Sequence, residues 1–171
     1  MLTNRCPLLL LDVDGVLNPF AAETCPDGYD ELDLFPDDDL PVRLNREHGR
    51  WLLELAEHLE LVWATGWGAD ANRVLSPLLG FPSLRTIEFP PVPFAPREKV
   101  PAIAAFTEGR AVAWIDDVMT PEAHAWADSR RTPTLLVDVD PVHGLTRSII
   151  DHVSQWWSGL LPGQNWVREQ D

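Results

Sequence analysis

The stretch LLLLDVDGVLNPF, residues 8–20, has two carboxylates directly after a run of four leucines. The leucines predict a buried strand over residues 7–13. Because side chains alternate across a strand, Asp12 and Asp14 should face the same side while the chain stays extended. Like charges held so close repel, so the pattern implies a divalent cation, a shared proton or exposure to water.

The charge of the chain narrows the range of partners. Thirteen basic residues stand against 27 acidic ones, which gives a net charge of -14 over 171 residues. Such a balance disfavours non-specific binding to nucleic acid or to an anionic membrane, but it leaves room for a local phosphate site. The length suits one domain with a hydrophobic core, and we expect a single domain over residues 1–171.

The cysteines and the N-terminus indicate a reduced, cytoplasmic setting. Cys6 and Cys25 form neither a CxxC motif nor a zinc-ligand spacing. The leucine run is far too short for a membrane span, and the N-terminus is a poor match to a signal peptide. We therefore expect a cytoplasmic protein without a membrane partner.

Apolar runs alternate with segments of helical periodicity along the rest of the chain. Strands are predicted over residues 7–13, 59–65, 84–89, 110–117 and 132–139, and helices over residues 46–60, 69–80, 97–109, 120–130 and 145–160. This alternation predicts an α/β fold, a three-layer, doubly wound, mainly parallel sheet with helices on both faces.

Residues 19–45 are the one long segment outside this alternation. The segment is acidic, contains glycine and proline, and includes the hairpin-like piece CPDGYDELDL at residues 25–34. We interpret residues 19–45 as a small flap after the first strand, with Phe20, Tyr29 and Phe35 as possible ligand contacts.

Residues capable of chemistry collect where the predicted strands end. Ligands of open parallel sheets bind outside the carboxyl ends of the strands. The side chains expected at this edge are four carboxylates, a hydroxyl and an amine: Asp12, Asp14, Asp116, Asp117, Thr65 and Lys99. Backbone amides near Gly15 and Gly66 would lie at the same edge.

This combination of groups suits phosphoryl transfer. Carboxylate oxygens are preferred ligands of Mg²⁺, and Mn²⁺ accepts similar sites. A phosphate needs positive charge and hydrogen-bond donors, which Lys99, Thr65 and the nearby amides would supply. One carboxylate can act as the nucleophile and a second as general acid and then base.

Four ordered motifs resemble those of the haloacid dehalogenase (HAD) superfamily, most of whose members are Mg²⁺-dependent phosphatases. They are DVDGVLN at 12–18, ATG at 64–66, the single Lys99 and WIDD at 114–117. The resemblance implies that Asp12 is the nucleophile and a Mg²⁺ ligand. It implies that Asp14 is the general acid/base, with its backbone carbonyl on the metal. A carboxylate at position 14 favours phosphate esters over carbon–halogen bonds.

The resemblance also implies roles for the later motifs. Thr65 would bind the phosphate, and Lys99 would stabilise both the nucleophile and the phosphate charge. Asp116 would be an acidic metal ligand, with Asp117 a ligand directly or through water. Arg97 is a second candidate for the cation, since either side chain can bind phosphate.

The chain is also similar to the HAD-type domains associated with multi-enzyme RNA repair proteins. The similarity lies in the pieces DVDGVLNPF, VRLNREHGRWLLELAE, LVWATGW and AWIDDVMTPEAHAWA. Substrate choice in the superfamily resides mostly in cap insertions, and neither insertion point here has room for a cap domain. The resemblance therefore implies a capless or minimal-cap enzyme with an open site.

Several aromatic and polar residues have two interpretations. Trp67, next to Gly66, would either stack on a ring of the ligand or pack against the protein. Asn18 shapes the turn, with a role near the metal or flap as the alternative. Trp156, Trp157 and Trp166 belong either to the core or to a dimer interface. The run Asp37–Asp39 resembles a cation site but is more typical of a solvated loop, and none of the five histidines has metal-ligand spacing.

These observations predict a Mg²⁺-dependent phosphomonoester hydrolase that acts through an aspartyl-phosphate on Asp12. One alternative is a nucleotide or polynucleotide end phosphatase, although the net charge of -14 disfavours tight binding of a nucleic acid. An alternative of another class is a non-catalytic module that binds phosphate or metal. We expect a monomer or a weak dimer.

Overall fold

A five-stranded, entirely parallel sheet forms the centre of the protein. The computed structural model describes residues 6–160. The strands are β1 (Leu8–Leu11), β4 (Glu60–Trp63), β5 (Arg85–Thr86), β6 (Val112–Asp116) and β7 (Thr134–Asp138), in the spatial order β5-β4-β1-β6-β7. The remaining strands, β2 (Asp30–Leu32) and β3 (Val42–Leu44), pair with each other in an antiparallel hairpin.

Helices cover both faces of the sheet, which confirms the predicted three-layer α/β fold. They are α1 (Glu47–Ala56), α2 (Ser76–Leu79), α3 (Lys99–Phe106), α4 (Pro121–Ser129) and α5 (Arg147–Gly159). The larger core joins the sheet to α1, α2 and α5, and the smaller core joins it to α3 and α4.

The central strand β1 contributes to both cores. Leu9 and Leu11 face the larger core, whereas Leu8 and Leu10 face the smaller one. All four leucines are fully buried because parallel strands with helices on both faces have no solvent side. This explains why the sequence shows a continuous apolar run here and no alternation.

The strand β1 ends two residues earlier than predicted. The carbonyl of Val13 accepts hydrogen bonds from the backbone N–H groups of Val16, Leu17 and Asn18 at 2.8–3.2 Å. The N–H of Asp12 still donates to the carbonyl of Ile115 at 3.1 Å, so the chain turns from Val13 onward and does not stay extended through both carboxylates.

The predicted helix over residues 69–80 is irregular. Residues Ala71–Leu75 form a π-helical turn, in which the N–H of Ser76 donates to the carbonyl of Ala71, five residues back. Pro77 has no N–H to continue the α-helical pattern, which favours the wider turn before it. The helix ends as predicted at Gly80, whose φ is 73°.

Other boundaries differ by a few residues. The strand predicted over 84–89 is reduced to Arg85–Thr86, an edge strand with one neighbour. The segment predicted as a helix over 97–109 begins with a 3₁₀ turn at Pro96–Glu98 and ends at Phe106. The cap predicted for the fourth helix is present, since the Thr120 hydroxyl accepts from the N–H of Ala123 at 3.3 Å.

The flap, residues 19–45, contains the β2–β3 hairpin. The predicted hairpin-like piece at 25–34 supplies only the first arm, and β3 supplies the second. The flap is tied to the first turn of the chain, because the Asn18 side-chain oxygen accepts from the N–H of Arg43 at 3.0 Å. It is also tied to α1, where the Tyr29 hydroxyl lies 3.4 Å from Nε2 of His48.

The aromatic C-terminal helix packs on the protein. Trp156 and Trp157 are half-buried against the larger core, and Trp157 stacks on His58 with ring centroids 5.6 Å apart. This favours core packing for these two residues, while Trp166 lies outside the described residues. Among residues 6–160, no helix has the length and apolarity needed to cross a membrane.

Candidate active site

The fold brings the predicted site residues to one edge of the sheet. The chain runs outward from β1 to β4 and β5, and then returns to the other side of β1 for β6 and β7. Ligand sites of open α/β sheets lie at such a reversal of strand order, at the carboxyl ends of the strands. Asp12 follows β1, Thr65 follows β4, and Asp116 ends β6.

A buried lysine bridges two buried carboxylates at this edge. Nζ of Lys99 lies 2.7 Å from Oδ2 of Asp12 and 2.7 Å from Oδ2 of Asp116. Each of the three residues is at most 6% exposed. Because Lys99 begins α3, the helix start delivers its amine to the ends of β1 and β6. Arg97, the other candidate for the cation, is exposed.

Asp117 completes a group of three carboxylates. Asp12, Asp116 and Asp117 each offer an oxygen, and these oxygens all lie within 4.8 Å of one another. Gly15 makes room for this group, because a Cβ at that position would lie 2.3 Å from Cγ and Oδ2 of Asp117. Gly15 also has a φ of 76°, which glycine adopts more readily than other residues.

The pKa values of the three close carboxylates are raised above the ordinary value for aspartate. Burial, and then the charge of Asp116, raises the pKa of Asp12 to about 7 despite the opposing effect of Lys99. Burial, and then the charge of Asp12, raises the pKa of Asp117 to about 6. Burial also raises the pKa of Asp116.

Lys99 remains a cation in this environment. Its burial disfavours the charge, but the charges of Asp12 and Asp116 outweigh that effect and raise the lysine pKa. One amine against three carboxylates leaves an excess of negative charge when all are ionised. A cation is therefore the natural complement of the site.

The carboxylate of Asp14 lies outside this group. Asp14 is exposed, and its two oxygens accept hydrogen bonds from Nδ2 of Asn18 and Nε1 of Trp67, each at 2.9 Å. The extended chain predicted through both carboxylates is replaced by a turn, and Asp12 belongs to the close carboxylate group whereas Asp14 does not. The backbone carbonyl of Asp14 remains the predicted metal ligand of that residue.

Trp67 lies against Asp14 and the flap. Its indole N–H holds Asp14, and its ring meets Phe35 edge to face with centroids 5.1 Å apart. The backbone N–H of Trp67 donates to the hydroxyl of Thr65, which is buried, at 3.3 Å. Gly66 between them is exposed and lines the same cavity as Trp67.

Two further donors to Asp116 were missed by the sequence analysis. Nε1 of Trp114 donates to Oδ2 of Asp116 at 3.1 Å, and the N–H of Val118 donates to Oδ1 at 3.1 Å. The signal for Trp114 was its position two residues before Asp116 on one strand, which puts both side chains on one face. These donors fix the orientation of the Asp116 carboxylate.

The residues present fit a divalent metal ion. Mg²⁺ prefers carboxylate oxygens, usually one or two of them together with water and phosphate oxygens. The three close carboxylates provide such oxygens, and a metal would offset the repulsion that their negative charges exert on one another.

A parallel sheet with acidic residues at the ends of two adjacent central strands and a lysine between them is the arrangement that the HAD motifs of the sequence predict. A family model described as the HAD domain in Swiss Army Knife RNA repair proteins matches residues 8–150. The chain belongs to this family, which confirms both resemblances seen in its motifs. Neither the curated proteins nor the solved structures compared with the chain gave a match.

Proposed function

We propose that the protein is a Mg²⁺-dependent phosphomonoester hydrolase with a covalent intermediate on Asp12. The observation that carries this proposal is the buried arrangement of Asp12 and Asp116 around Lys99, with Asp117 beside them. A burial so costly for three ionisable groups needs a compensating role, and perturbed groups of this kind cluster at functional sites.

In the first step, a carboxylate oxygen of Asp12 attacks the phosphorus of the substrate. The bond between phosphorus and the leaving oxygen breaks, and Asp14 donates a proton to that oxygen. Lys99 holds the attacking carboxylate and offsets the charge of the phosphate. The hydroxyl of Thr65 and nearby backbone amides would bind the phosphate oxygens.

In the second step, water attacks the phosphorus of the aspartyl-phosphate. Asp14 accepts a proton from this water, the bond from phosphorus to the Asp12 oxygen breaks, and inorganic phosphate leaves. The hydrogen bonds from Asn18 and Trp67 keep the Asp14 carboxylate at one position for both proton transfers.

Asp12, Asp116, Asp117 and the backbone carbonyl of Asp14 would hold the metal ion. Mg²⁺ would supply positive charge that reduces the repulsion between these carboxylates and the incoming phosphate. Mn²⁺ accepts the same oxygen ligands and should substitute for it.

The test is phosphate release from phosphorylated metabolites, nucleotides and phosphate-ended oligonucleotides, with Mg²⁺ and with EDTA. We expect release that requires the metal and that falls by about 10³-fold or more in Asp12→Asn, because the nucleophile is lost. Activity that persists in a folded Asp12→Asn protein would exclude the covalent mechanism.

Asp138→Asn is a matched control for that variant. Asp138 also ends a parallel strand and pairs in register with Asp116, but it is exposed and belongs to no carboxylate group of the site. We expect its activity to equal that of the unmodified protein. If a folded protein that binds Mg²⁺ releases phosphate from no substrate, a non-catalytic phosphate- or metal-binding module becomes the better interpretation.

The family supports a second candidate function, hydrolysis of a phosphate at the end of a nucleic acid. This candidate rests on the description of the family as HAD domains in RNA repair proteins. The phosphate-ended oligonucleotides in the panel test it directly. A preference for them over nucleoside monophosphates would favour this function.

A further inference from the structure

A large cavity opens beside Asp14, between the flap and the sheet edge. Its volume is about 810 Å³, and Asp14, Gly66 and Trp67 form its inner side. The proposed general acid lies next to the leaving group of a substrate, because it must protonate the leaving oxygen. The cavity is therefore the space into which the organic part of a phosphomonoester would extend.

The walls of this cavity are aromatic and acidic. Phe20, Phe35 and Trp67 contribute rings, and Phe20 is 54% exposed. The hydrogen bond from Trp67 to Asp14 and the edge contact with Phe35 restrict the orientation of the indole. Aromatic faces attract apolar groups and cations.

The charged lining has a strong excess of carboxylates. The ionisable side chains at the cavity are Asp14, Glu23, Asp38, Asp39, Asp70 and Arg43. In the described part of the chain, no ion pair joins Glu23, Asp38 or Asp39 to a basic side chain. These three carboxylates therefore leave the cavity with a negative potential.

Among residues 6–160, Arg43 is the one cationic side chain that lines the cavity, and its guanidinium bonds to other residues of the flap. Arg43 donates to Oε1 of Glu31 at 3.1 Å and to the carbonyl of Ala22 at 2.7 Å. Asp70 is similarly paired with Arg73 at 2.8 Å. A second anionic group on the substrate would thus meet repulsion in the cavity with little compensating charge.

We propose that the substrates are phosphomonoesters whose leaving group is cationic or neutral and carries no second anionic group. This inference rests on the proposed hydrolase function, and it assigns the cavity between the flap and Asp14 to the leaving group. The rings and the free carboxylates both favour a cation there. A polynucleotide, which carries a phosphodiester next to its terminal phosphate, is disfavoured by the same walls.

Three aryl phosphates of similar size test the proposal: 4-(aminomethyl)phenyl, 4-(hydroxymethyl)phenyl and 4-(carboxymethyl)phenyl phosphate. They differ chiefly in the charge at the far end of the ring. At low salt we expect kcat/KM to fall from the cationic to the neutral to the anionic ester, with about tenfold or more between the first and the last. Several partly screened charges would produce this ratio, which should shrink as salt is added.

A pair of flap variants distinguishes the effect of the cavity charges on substrate preference from the effect of the protein's net charge. The double variant Asp38→Asn/Asp39→Asn removes two of the free carboxylates, and we expect it to reduce the cationic-to-anionic ratio by about threefold or more. Asp37→Asn removes a charge from the same exposed run but from outside the lining, and it should reduce the ratio by less than either lining substitution made alone. An equal effect of Asp37→Asn would overturn the assignment.

A binding measurement distinguishes failure of this inference from failure of the proposed function. Calorimetric titration of Asp12→Asn with the same three esters and Mg²⁺ should give the same order of affinity without turnover. If the order holds but the unmodified protein releases no phosphate, the hydrolase function fails and the cavity assignment stands. Equal binding of all three esters, or a preference for a 5′-phosphorylated oligonucleotide over the cationic ester, would overturn the cavity assignment.

Discussion

The arrangement of the three close carboxylates depends on the small size of Gly15. An alanine Cβ at this position would lie 2.3 Å from the Asp117 carboxyl, far inside normal contact distance. We expect Gly15→Ala to displace Asp117 and to weaken Mg²⁺ binding by about tenfold or more, the scale of losing or misplacing one metal ligand. Calorimetric titration with Mg²⁺ measures this loss.

Gly109→Ala separates the steric contact from backbone strain. Gly109 has a φ of 71°, close to that of Gly15, but a Cβ there would meet no atom within 4 Å. Both variants should lose stability from the positive φ, by about 1–2 kcal/mol. Only Gly15→Ala should lose metal affinity, and a similar loss in Gly109→Ala would contradict the steric explanation.

The raised pKa values of Asp12 and Asp117 predict that metal binding displaces protons. At pH 6, Asp12 with its pKa of about 7 is mostly protonated, and Asp117 with its pKa of about 6 is about half protonated. A metal binds the ionised forms, so its affinity should rise from pH 6 to pH 8 while proton release falls toward zero.

Calorimetry in two buffers of different ionisation enthalpy counts the released protons. Asp117→Asn should release fewer protons at pH 6 than the unmodified protein, since one titrating group is gone. Asp138→Asn, which removes an exposed carboxylate outside the site, should release the same number. Proton release that is equal at pH 6 and pH 8 would count against the raised pKa values.

At the level of single residues, the sequence predicted the members of the site better than their contacts. Asp12, Asp116 and Lys99 could be expected together because each follows or precedes a recognisable strand or helix. The separation of Asp14 from Asp12 could not be predicted, since it depends on the residue at which β1 stops. The contact between Gly15 and Asp117 joins positions about a hundred residues apart and leaves no local signal.

At the level of elements, the close approach of α1 and α2 depends on a glycine. A Cβ at Gly49 in α1 would lie 2.1 Å from the carbonyl oxygen of Leu79 at the end of α2. We expect Gly49→Ala to push the helices apart and to lower the free energy of unfolding by about 1–3 kcal/mol, the usual cost of overpacking. Urea denaturation measures this change.

Gly159→Ala is the control for that substitution. Gly159 also lies in a helix, the last residue of α5, and a Cβ there would meet no atom within 4 Å. Alanine favours the helix by up to about 1 kcal/mol over glycine, so this variant should be neutral or slightly more stable. A stability loss in both variants would show that the contact with Leu79 is not the cause.

The elements that were predicted well are those with a strong pattern. Continuous apolar runs identified β1, β4 and β6, and Thr120 with Pro121 marked the start of α4. The three-residue strands of the flap are too short for a periodicity to show. The π-helical turn was also missed, because one proline in a helical pattern does not specify a wider turn in the residues before it.

At the level of the whole molecule, a buried histidine joins the flap to the body of the protein. His48 is fully buried in α1, beside Tyr29 of the flap, and burial lowers its pKa to about 4. The unfolded chain binds a proton near pH 6.5, whereas the folded protein does not. Folding stability from this group is therefore lost as the pH falls from about 6.5 to about 4.

Comparison with His48→Leu isolates this effect. The quantity to follow is the free energy of unfolding of the unmodified protein minus that of the variant. This difference should decrease by about 3 kcal/mol as the pH falls from 7 to 4. Each pH unit between the folded and unfolded pKa values of His48 corresponds to about 1.4 kcal/mol. The titration of the site carboxylates is common to both proteins and cancels in the difference. A pH-independent difference for His48→Leu would contradict the lowered pKa.

The parallel sheet and the helix layers followed from the alternation of strands and helices, whereas the strand order and the placement of the flap over the sheet edge did not. That placement depends on isolated long-range contacts, such as those of Tyr29 with His48 and with the carbonyl of His143 at 3.4 Å. Nothing local in the sequence of the flap specifies these partners.

The hydrogen bond between Asn18 and Arg43 makes the loop of the flap a segment that can be replaced. This contact of 3.0 Å, together with the bond from the Arg43 side chain to the carbonyl of Ala22 at 2.7 Å, brings the start and the end of the segment together. Residues 20–41 therefore form a loop closed at its base. The entropy of closing such a loop changes slowly with its length, so a replacement of different size would fit the same base. Protein engineers could thus graft a new loop there and alter selectivity while Asp12, Lys99 and Asp116 keep their positions on the sheet.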